Sequence, residues 1–345
     1  MKSAVITGIT GQDGAYLARL LLSKNYKVYG AYRRTSTANF YRIKELNIFD
    51  NENLTLVECD LTDLGSCIRL IEQAQPHEVY NLAAQSFVGA SFNSPATTTL
   101  INTMGPLNLL EAIRTLNKKI KFYQASTSEM FGKVQQTPQN ESTPFYPRSP
   151  YGVSKLYGHW ITVNYRESYD IHANSGILFN HESPLRGLEF VTRKITNGLS
   201  NIFYNYQQSL KLSDLDVYRD WGHAEDYVVA MYLMLQQETP GDYVVASGMQ
   251  HSVRELCEIS AKKIGFEIHW QGNGCNEVGI SSITNKPIII VDCSYRRPAE
   301  VNTLLGDSSH AERVLGWTRN YNFDKLVENM VNSDLKKCRE KNGQN

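Results

Sequence analysis

The feature that most constrains this chain stands at its start. Residues 3–7 (SAVIT) form a mostly apolar run that passes directly into Gly8, Gly11 and Gly14, spaced G-x-x-G-x-x-G. A strand that ends in glycines and continues as a helix lets the backbone turn tightly and approach a pyrophosphate. The helix start then offers N–H groups and the positive end of its dipole to that anion. Glycine-rich turns are common, so the pattern counts here because of its place between a strand and a helix. Gly8, Gly11, Gln12, Asp13 and Gly14 are therefore expected to hold a dinucleotide.

Past this loop, short apolar runs at 27–31, 54–58, 78–83, 121–126 and 173–179 alternate with segments of helical period at 14–23, 66–72, 104–115 and 151–169. Strands that are apolar along their whole length, each followed by a helix, belong to a parallel sheet covered on both faces. The economical fold class is α/β, a doubly wound parallel sheet of the Rossmann type. A chain of 345 residues also has room for a second lobe. The alternation stops after Asn180. Residues 1–180 are expected to form the dinucleotide-binding domain, with segments near 220–250 returning to it, including a strand at 243–246. Residues 181–335 are expected to form mostly a smaller C-terminal α/β substrate lobe containing a short strand at 288–291. The polar tail 336–345 is expected to fray.

The cofactor can be narrowed at the second strand. A carboxylate at its end would bond a ribose 2′-hydroxyl and select NAD. Here the strand runs into Tyr32, Arg33, Arg34, Thr35 and Ser36, with no acid. Two guanidiniums and the Ser36 hydroxyl suit a 2′-phosphate, so NADP is expected. A solvated basic loop is the plainer alternative. Asp60 and Leu61 after the third strand are expected to flank the adenine. Leu82, Ala83 and Ala84 after the fourth are expected to run beside the cofactor.

Tyr151 and Lys155 follow Ser149 and Pro150, either of which can start a helix. The two residues then lie one turn apart on one face. An ammonium near a phenol lowers the phenol's pKa from ~10 toward the range of a general base. Y-x-x-x-K alone is frequent by chance, but here it follows a dinucleotide loop and five strands.

The glycine motif together with Tyr151 and Lys155 resembles the extended short-chain dehydrogenase/reductases. In that family the tyrosine takes a hydroxyl proton as hydride moves to the nicotinamide, and the lysine holds the ribose. Residues 122–129 (FYQASTSE), with 144–151, 160–169, 177–184, 191–195, 219–223 and 297–301, resemble the GDP-mannose 4,6-dehydratases over nearly the whole chain. The resemblance implies a carbon–oxygen lyase acting on a GDP-manno sugar, either GDP-mannose or GDP-D-glycero-D-manno-heptose. Its product would be the 4-keto-6-deoxy sugar, formed by an internal NADP-mediated hydride shift and loss of water. By the same resemblance Tyr151 takes the O4 proton and Thr127 bonds the 4-oxygen. Glu129 removes the C5 proton and returns it to the departing C6 hydroxyl; epimerases of this family usually carry a small residue there. His181 and Arg186 would lie near the cofactor. Asn180, Lys194, Arg219, Arg297 and Glu300 would face the GDP, where guanidiniums suit a diphosphate. Such enzymes are homodimers or homotetramers.

The loop at 84–93, which includes Ser86, borders the sugar by the same resemblance. Phe87, Gly89, Ala90 and Asn93 stand where His, Ala, Val and Glu are usual. The small Gly89 and Ala90 lead to the expectation of a roomier pocket, which keeps the heptose open as substrate. Leu185, Leu188 and the stretch 274–287 also depart from the pattern. Two other readings share the fold: a sugar-nucleotide 4-epimerase, and a non-catalytic NADP-binding scaffold.

Formal charge sums to zero, from 35 basic and 35 acidic residues, which favours neither a nucleic acid nor an anionic membrane as partner. No apolar run approaches the ~20 residues of a membrane span. The first residues enter a strand without a signal-peptide pattern. The six cysteines lack C-x-x-C spacing and read as free thiols in a reducing compartment. A cytoplasmic protein without a metal site is expected.

Overall fold

The computed structural model describes every residue except 38, 296–298, 300, 302 and 344–345, and the side chain of Asn342. The first elements are β1 (Ser3–Thr7), α1 (Gln12–Ser23), β2 (Lys27–Tyr32), α2 (Tyr41–Glu45), β3 (Leu54–Glu58) and α3 (Leu64–Ala74). They are followed by β4 (Glu78–Asn81), α4 (Val88–Asn93), α5 (Pro95–Leu116), β5 (Lys121–Thr127), α6 (Pro150–Tyr169) and β6 (Ala173–Leu178). Next come β7 (Asn180–Glu182), α7 (Val191–Phe203), β8 (Leu210–Leu212), β9 (Tyr218–His223), α8 (Ala224–Gln236) and β10 (Asp242–Val245). The chain continues with β11 (Gln250–Ser252), α9 (Val253–Ile264), β12 (Ile268–Gln271), β13 (Val278–Ser281) and β14 (Pro287–Val291). It closes with α10 (Ser309–Leu315) and α11 (Phe323–Asn342).

These elements form two compact units. The first takes 1–179, 224–246 and 306–318; the second takes 180–223, 247–305 and 319–345.

The first unit is the expected doubly wound α/β fold. Its seven-stranded sheet has the order β10-β6-β5-β4-β1-β2-β3 and is parallel throughout. The strands are apolar on both faces because helices cover both. Val5, Val79, Phe122 and Ala173 pack with Leu109, Leu110 and Ile113 of α5 and Leu70 and Ile71 of α3. Burying each such side chain contributes roughly 1.5–3 kcal/mol. The strand β10 returns to the sheet beside β6, as expected. Strand order reverses between β1 and β4, and ligands of open α/β sheets bind outside the carboxyl ends of strands at such a point. Register brings those ends level: Thr7 of β1 pairs with Ala31 of β2 and Asn81 of β4, and Asn81 with Gln124 of β5.

The second unit holds a three-stranded sheet, β11-β9-β7, and a four-stranded one, β12-β13-β14-β8. Helices α7, α9 and α11 pack on one another. Arg193 and Asp334 form a buried ion pair between α7 and α11, and the Thr196 hydroxyl donates to Asp334 at 2.8 Å. Buried charges need that degree of pairing.

Three expectations are corrected. The strand expected at 78–83 stops at Asn81, because the Leu82 and Ala83 N–H groups donate to Thr7 Oγ1 at 3.1 Å instead of to a neighbouring strand. The tail does not fray at Lys336: α11 continues to Asn342, with Leu335 and Cys338 buried. Nor are all six cysteines free. Cys275 and Cys293 form a disulfide with Cα atoms 5.5 Å apart, while Cys59, Cys67, Cys257 and Cys338 are free and buried. The antiparallel register explains the bridge. Val278 of β13 pairs with Ile290 of β14, and each cysteine lies three residues beyond that pair. Among the described residues no helix is long and apolar enough to cross a membrane.

Candidate active site

The carboxyl ends of β1, β4 and β5 are joined by a buried polar chain. The Thr7 hydroxyl donates to Asn81 Oδ1 at 2.7 Å, and Asn81 Nδ2 donates to Gln124 Oε1 at 2.8 Å. Thr7 Oγ1 also accepts the two N–H groups just named. This arrangement fixes the turn after β1 against the segment after β4.

Two glycines of the expected loop are required by sterics. Gly8 has φ +70°, and a Cβ there would lie 2.9 Å from the Ala83 nitrogen. A Cβ at Gly14 would lie 2.3 Å from the Gly8 carbonyl oxygen. Gly11 is the N-cap of α1, and no side chain caps the helix there. The start of α1 thus faces the loop backbone at close quarters, as pyrophosphate binding needs. Arg42 of α2 adds a support that sequence reasoning missed, donating to the Thr10 carbonyl at 2.9 Å. An arginine in a polar stretch gives no signal of such a contact.

Arg33, Arg34 and Ser36 lie exposed beyond β2. Among the described residues no hydrogen bond or ion pair engages either guanidinium. Asp60 is held below the usual carboxylate range, first by the Thr62 N–H and hydroxyl and then by the charge of Arg33. Leu61 is buried and its carbonyl accepts from Asn108 at 2.8 Å. Leu82, Ala83 and Ala84 are half-buried, and Ser86 is exposed.

The candidate catalytic groups come from β5 and α6. Strand β5 ends at Thr127, whose hydroxyl accepts the Glu129 N–H at 3.3 Å and so shapes a 3₁₀ turn, Ser128–Met130. Helix α6 starts as expected. Ser149 is its N-cap, accepting the Gly152 N–H at 3.0 Å, and Pro150 occupies the first turn. Tyr151 and Lys155 then share one face. The two segments meet at Gly152, where a Cβ would lie 2.8 Å from the Glu129 carbonyl oxygen. Only a glycine lets the helix start sit this close to the acidic turn. Thr127, Glu129 and Tyr151 are each 8% exposed, and Lys155 is 4% exposed. Burial pushes the Lys155 ammonium down to about 8, with the Asp13 carboxylate acting against the shift. Asp13, in the first turn of α1, therefore contributes to the field at Lys155.

The loop after β4 is tied to the same turn of α6. Asn102 Oδ1 accepts the Gln85 N–H at 2.9 Å, and Asn102 Nδ2 donates to Ser154 Oγ at 3.0 Å. The Ser154 hydroxyl in turn donates to the Tyr151 carbonyl at 2.8 Å. Two of the departures from the family pattern touch one another: a Cβ at Gly89 would lie 3.3 Å from the ring of Phe87.

In the second unit, β7 and β9 pair in parallel and bring together Asn180, His181 and Arg219. His181 and Arg219 are buried, and Asn180 Oδ1 is buried without a hydrogen-bond partner among the described residues. Arg186 lies 3.1 Å from the Glu182 carboxylate and over the Phe190 ring. Lys194 on α7 is half-buried, and burial lowers its pKa against the pull of Asp292. Arg297 and Glu300 fall outside the described residues.

Comparison with known proteins names the family. The family model described as GDP-mannose 4,6 dehydratase matches residues 5–330. The GDP-mannose 4,6-dehydratase of Vibrio cholerae serotype O1 is 51% identical over 352 residues, covering 98% of this chain and 94% of that one. Among solved structures, UDP-glucose 4-epimerase from Thermotoga maritima matches with a TM-score of 0.81 at 20% identity, covering 97% of this chain and 99% of its own. The dTDP-glucose 4,6-dehydratase of Streptomyces venezuelae, solved with NAD, also gives 0.81 at 21% identity, covering 99% of this chain and 98% of its own. Fold alone therefore does not separate epimerase from dehydratase, and the sequence match does. This chain belongs to the GDP-mannose 4,6-dehydratase family.

Proposed function

We propose that the protein is a GDP-sugar 4,6-dehydratase that converts GDP-mannose to its 4-keto-6-deoxy derivative. The observation that carries this reading is the close approach, at Gly152, of the turn bearing Glu129 to the helix bearing Tyr151 and Lys155. An epimerase needs the phenol and the lysine but has no use for a buried acid beside them.

The residues fit a bound nicotinamide dinucleotide. The cradle at Gly8 and Gly14 that a Cβ would fill suits its pyrophosphate, and Arg33, Arg34 and Ser36 suit the 2′-phosphate of NADP. Asp60 and Leu61 would flank its adenine, and His181 and Arg186 would contact it as well. When bound, this group accepts a hydride from C4 of the sugar and returns it at C6, so the cycle is redox-neutral. Tyr151, as phenolate, takes the O4 proton. Lys155 lies one turn away, and its positive charge favours the phenolate. Thr127 bonds the 4-oxygen. The 4-ketone acidifies the C5 proton, which Glu129 removes and then delivers to the departing C6 hydroxyl, and as hydride adds at C6 the proton that Tyr151 took from O4 passes to C5, restoring the phenolate. Asn180, Lys194, Arg219, Arg297 and Glu300 are assigned to the GDP, and Ser86 to the sugar. The unpartnered Asn180 Oδ1 supports a ligand contact there.

GDP-D-glycero-D-manno-heptose is the second substrate to test, because residues 84–93 depart from the family pattern. Phe87 against Gly89 favours the hexose, since the ring occupies the space that the glycine leaves. A homo-oligomer is part of this reading. Val153, Tyr157 and Trp160 of α6 and Leu100 of α5 are exposed on helices that pack side by side, and a second copy would cover them. Placement in the cytoplasm is part of this reading too, with the Cys275–Cys293 pair as the exception to the free thiols such a compartment favours.

Turnover of both nucleotides by the purified protein, with the product read by NMR, tests the reading. Glu129→Gln is expected to lower dehydration at least ~100-fold, within the range for loss of an acid–base group. It should still transfer hydride to the dinucleotide, seen as absorbance at the reduced-nicotinamide wavelength. Full turnover by that variant, or a product lacking a ketone, would refute it.

A further inference from the structure

The disulfide between Cys275 and Cys293 lies in the second unit and includes none of the residues assigned to the chemistry. It joins two 3₁₀ turns, Gly274–Asn276 before β13 and Cys293–Tyr295 after β14. Cys275 is exposed and Cys293 half-buried, whereas the other four cysteines are buried. A disulfide in a reducing compartment is as a rule transient or sensing, and an accessible one exchanges with external thiols.

Its neighbours give the bridge a consequence. Asp292, just before Cys293, is an electrostatic partner of Lys194. Tyr295, two residues after it, places its ring 4.7 Å from Lys194 Nζ. The bridged turn thus sets the Tyr295 ring against Lys194 and the charge of Asp292 near it, while the Asp292 carboxylate itself pairs with Lys211 at 3.3 Å. Backbone bonds already anchor the strand side, since the Val291 N–H donates to Glu277 at 3.0 Å and the Asp292 N–H donates to Leu212 at 2.7 Å. Beyond Asp292 the bridge is the covalent tie to the turn at 274–276.

We propose that Cys275 and Cys293 form a reversible thiol–disulfide site that tunes GDP-sugar affinity by fixing Asp292 and Tyr295 around Lys194. This rests on the reading of Lys194 as a nucleotide contact. Opening the bridge takes two electrons and two protons from a dithiol reductant. A thiolate attacks one sulfur, the mixed disulfide resolves on the second thiol of the reductant, and two cysteine thiols are released. Glutathione disulfide reverses the step. Loss of an exposed cation–π contact predicts about a two- to fivefold weaker interaction at Lys194.

The test uses the intact holoenzyme, poised with glutathione disulfide or with dithiothreitol. Alkylation under denaturing conditions should count four free thiols in the oxidised form and six in the reduced form. Mass spectrometry should find Cys275 and Cys293 in one linked peptide. Reduction should raise KM for GDP-mannose, and Kd for GDP by calorimetry, about two- to fivefold at unchanged kcat and unchanged bound dinucleotide. Cys275→Ser with Cys293→Ser should sit at the reduced value whatever the buffer. Failure of the bridge to form, or equal GDP affinity in both states, overturns the proposal. If GDP-mannose is not turned over in either state, the dehydratase reading falls, and the GDP affinities alone still decide the switch.

Discussion

Replacing Gly152 with alanine tests whether the acidic turn and the tyrosine helix are held at the distance the fold describes. An ideal Cβ at 152 stands 2.8 Å from the Glu129 carbonyl oxygen and 3.1 Å from Pro147 Cβ. A relaxed carbon–oxygen contact is about 3.3 Å or longer, so the two segments must part by about 0.5 Å. A misplacement of ~1 Å costs about 100-fold in rate, so half of that costs about tenfold. Stability moves against the usual helix trend. Glycine to alanine in a helix ordinarily gains up to ~1 kcal/mol. Overpacking costs ~1–3 kcal/mol and wins, for a net loss of ~1 kcal/mol. Gly158→Ala, two turns along the same helix, is the control. Its Cβ would meet Gln124 and Pro106 at 3.4 Å, an ordinary contact, so that variant should be active and as stable as the parent or more so. Urea unfolding and steady-state formation of the ketone read both variants. If Gly152→Ala matches Gly158→Ala in both measurements, the close approach is not there and the site's geometry is wrong.

Lys155→Met should abolish activity and stabilise the fold. Folding lowers the lysine from 10.5 to about 8, so the fold bears the cost of the buried cation in full below pH 8. Between about 8 and 10.5 the unfolded chain still holds a proton that the fold has released, and this contribution to stability rises with pH. The methionine variant, freed of cofactor, should be more stable by ~3 kcal/mol at pH 7, with the advantage shrinking by pH 10. An advantage that does not change with pH would contradict the burial argument. Arg33→Ala with Arg34→Ala should weaken NADP about tenfold or more and leave NAD unchanged, as read by fluorescence titration; equal losses for both dinucleotides would remove the 2′-phosphate role.

Much of the first unit is legible because its physics is local. Glycines at 8 and 14 announce a backbone collision that any side chain would cause, and Ser149-Pro150 announces the helix that carries Tyr151 and Lys155. The hidden parts depend on partners distant in sequence. Helix α5 begins at Pro95, well before the apolar period that starts near Met104, because its first turns bury Thr98 and Asn102. Polar residues leave no hydrophobic rhythm, yet Asn102 is what ties the loop after β4 to α6. The Cys275–Cys293 bridge follows from the pairing of β13 with β14, and the stretch 274–287 gives no hint of that register. The approach of Phe87 to Gly89 is likewise a contact that the sequence pattern does not announce.

The central claim, that this site moves one hydrogen within one sugar, is tested most directly by GDP-mannose carrying deuterium at C4. The account predicts a 4-keto-6-deoxy product with that deuterium at C6, read by NMR and mass spectrometry. Deuterium lost to water, or retained at C4 of an epimer without a ketone, would contradict it.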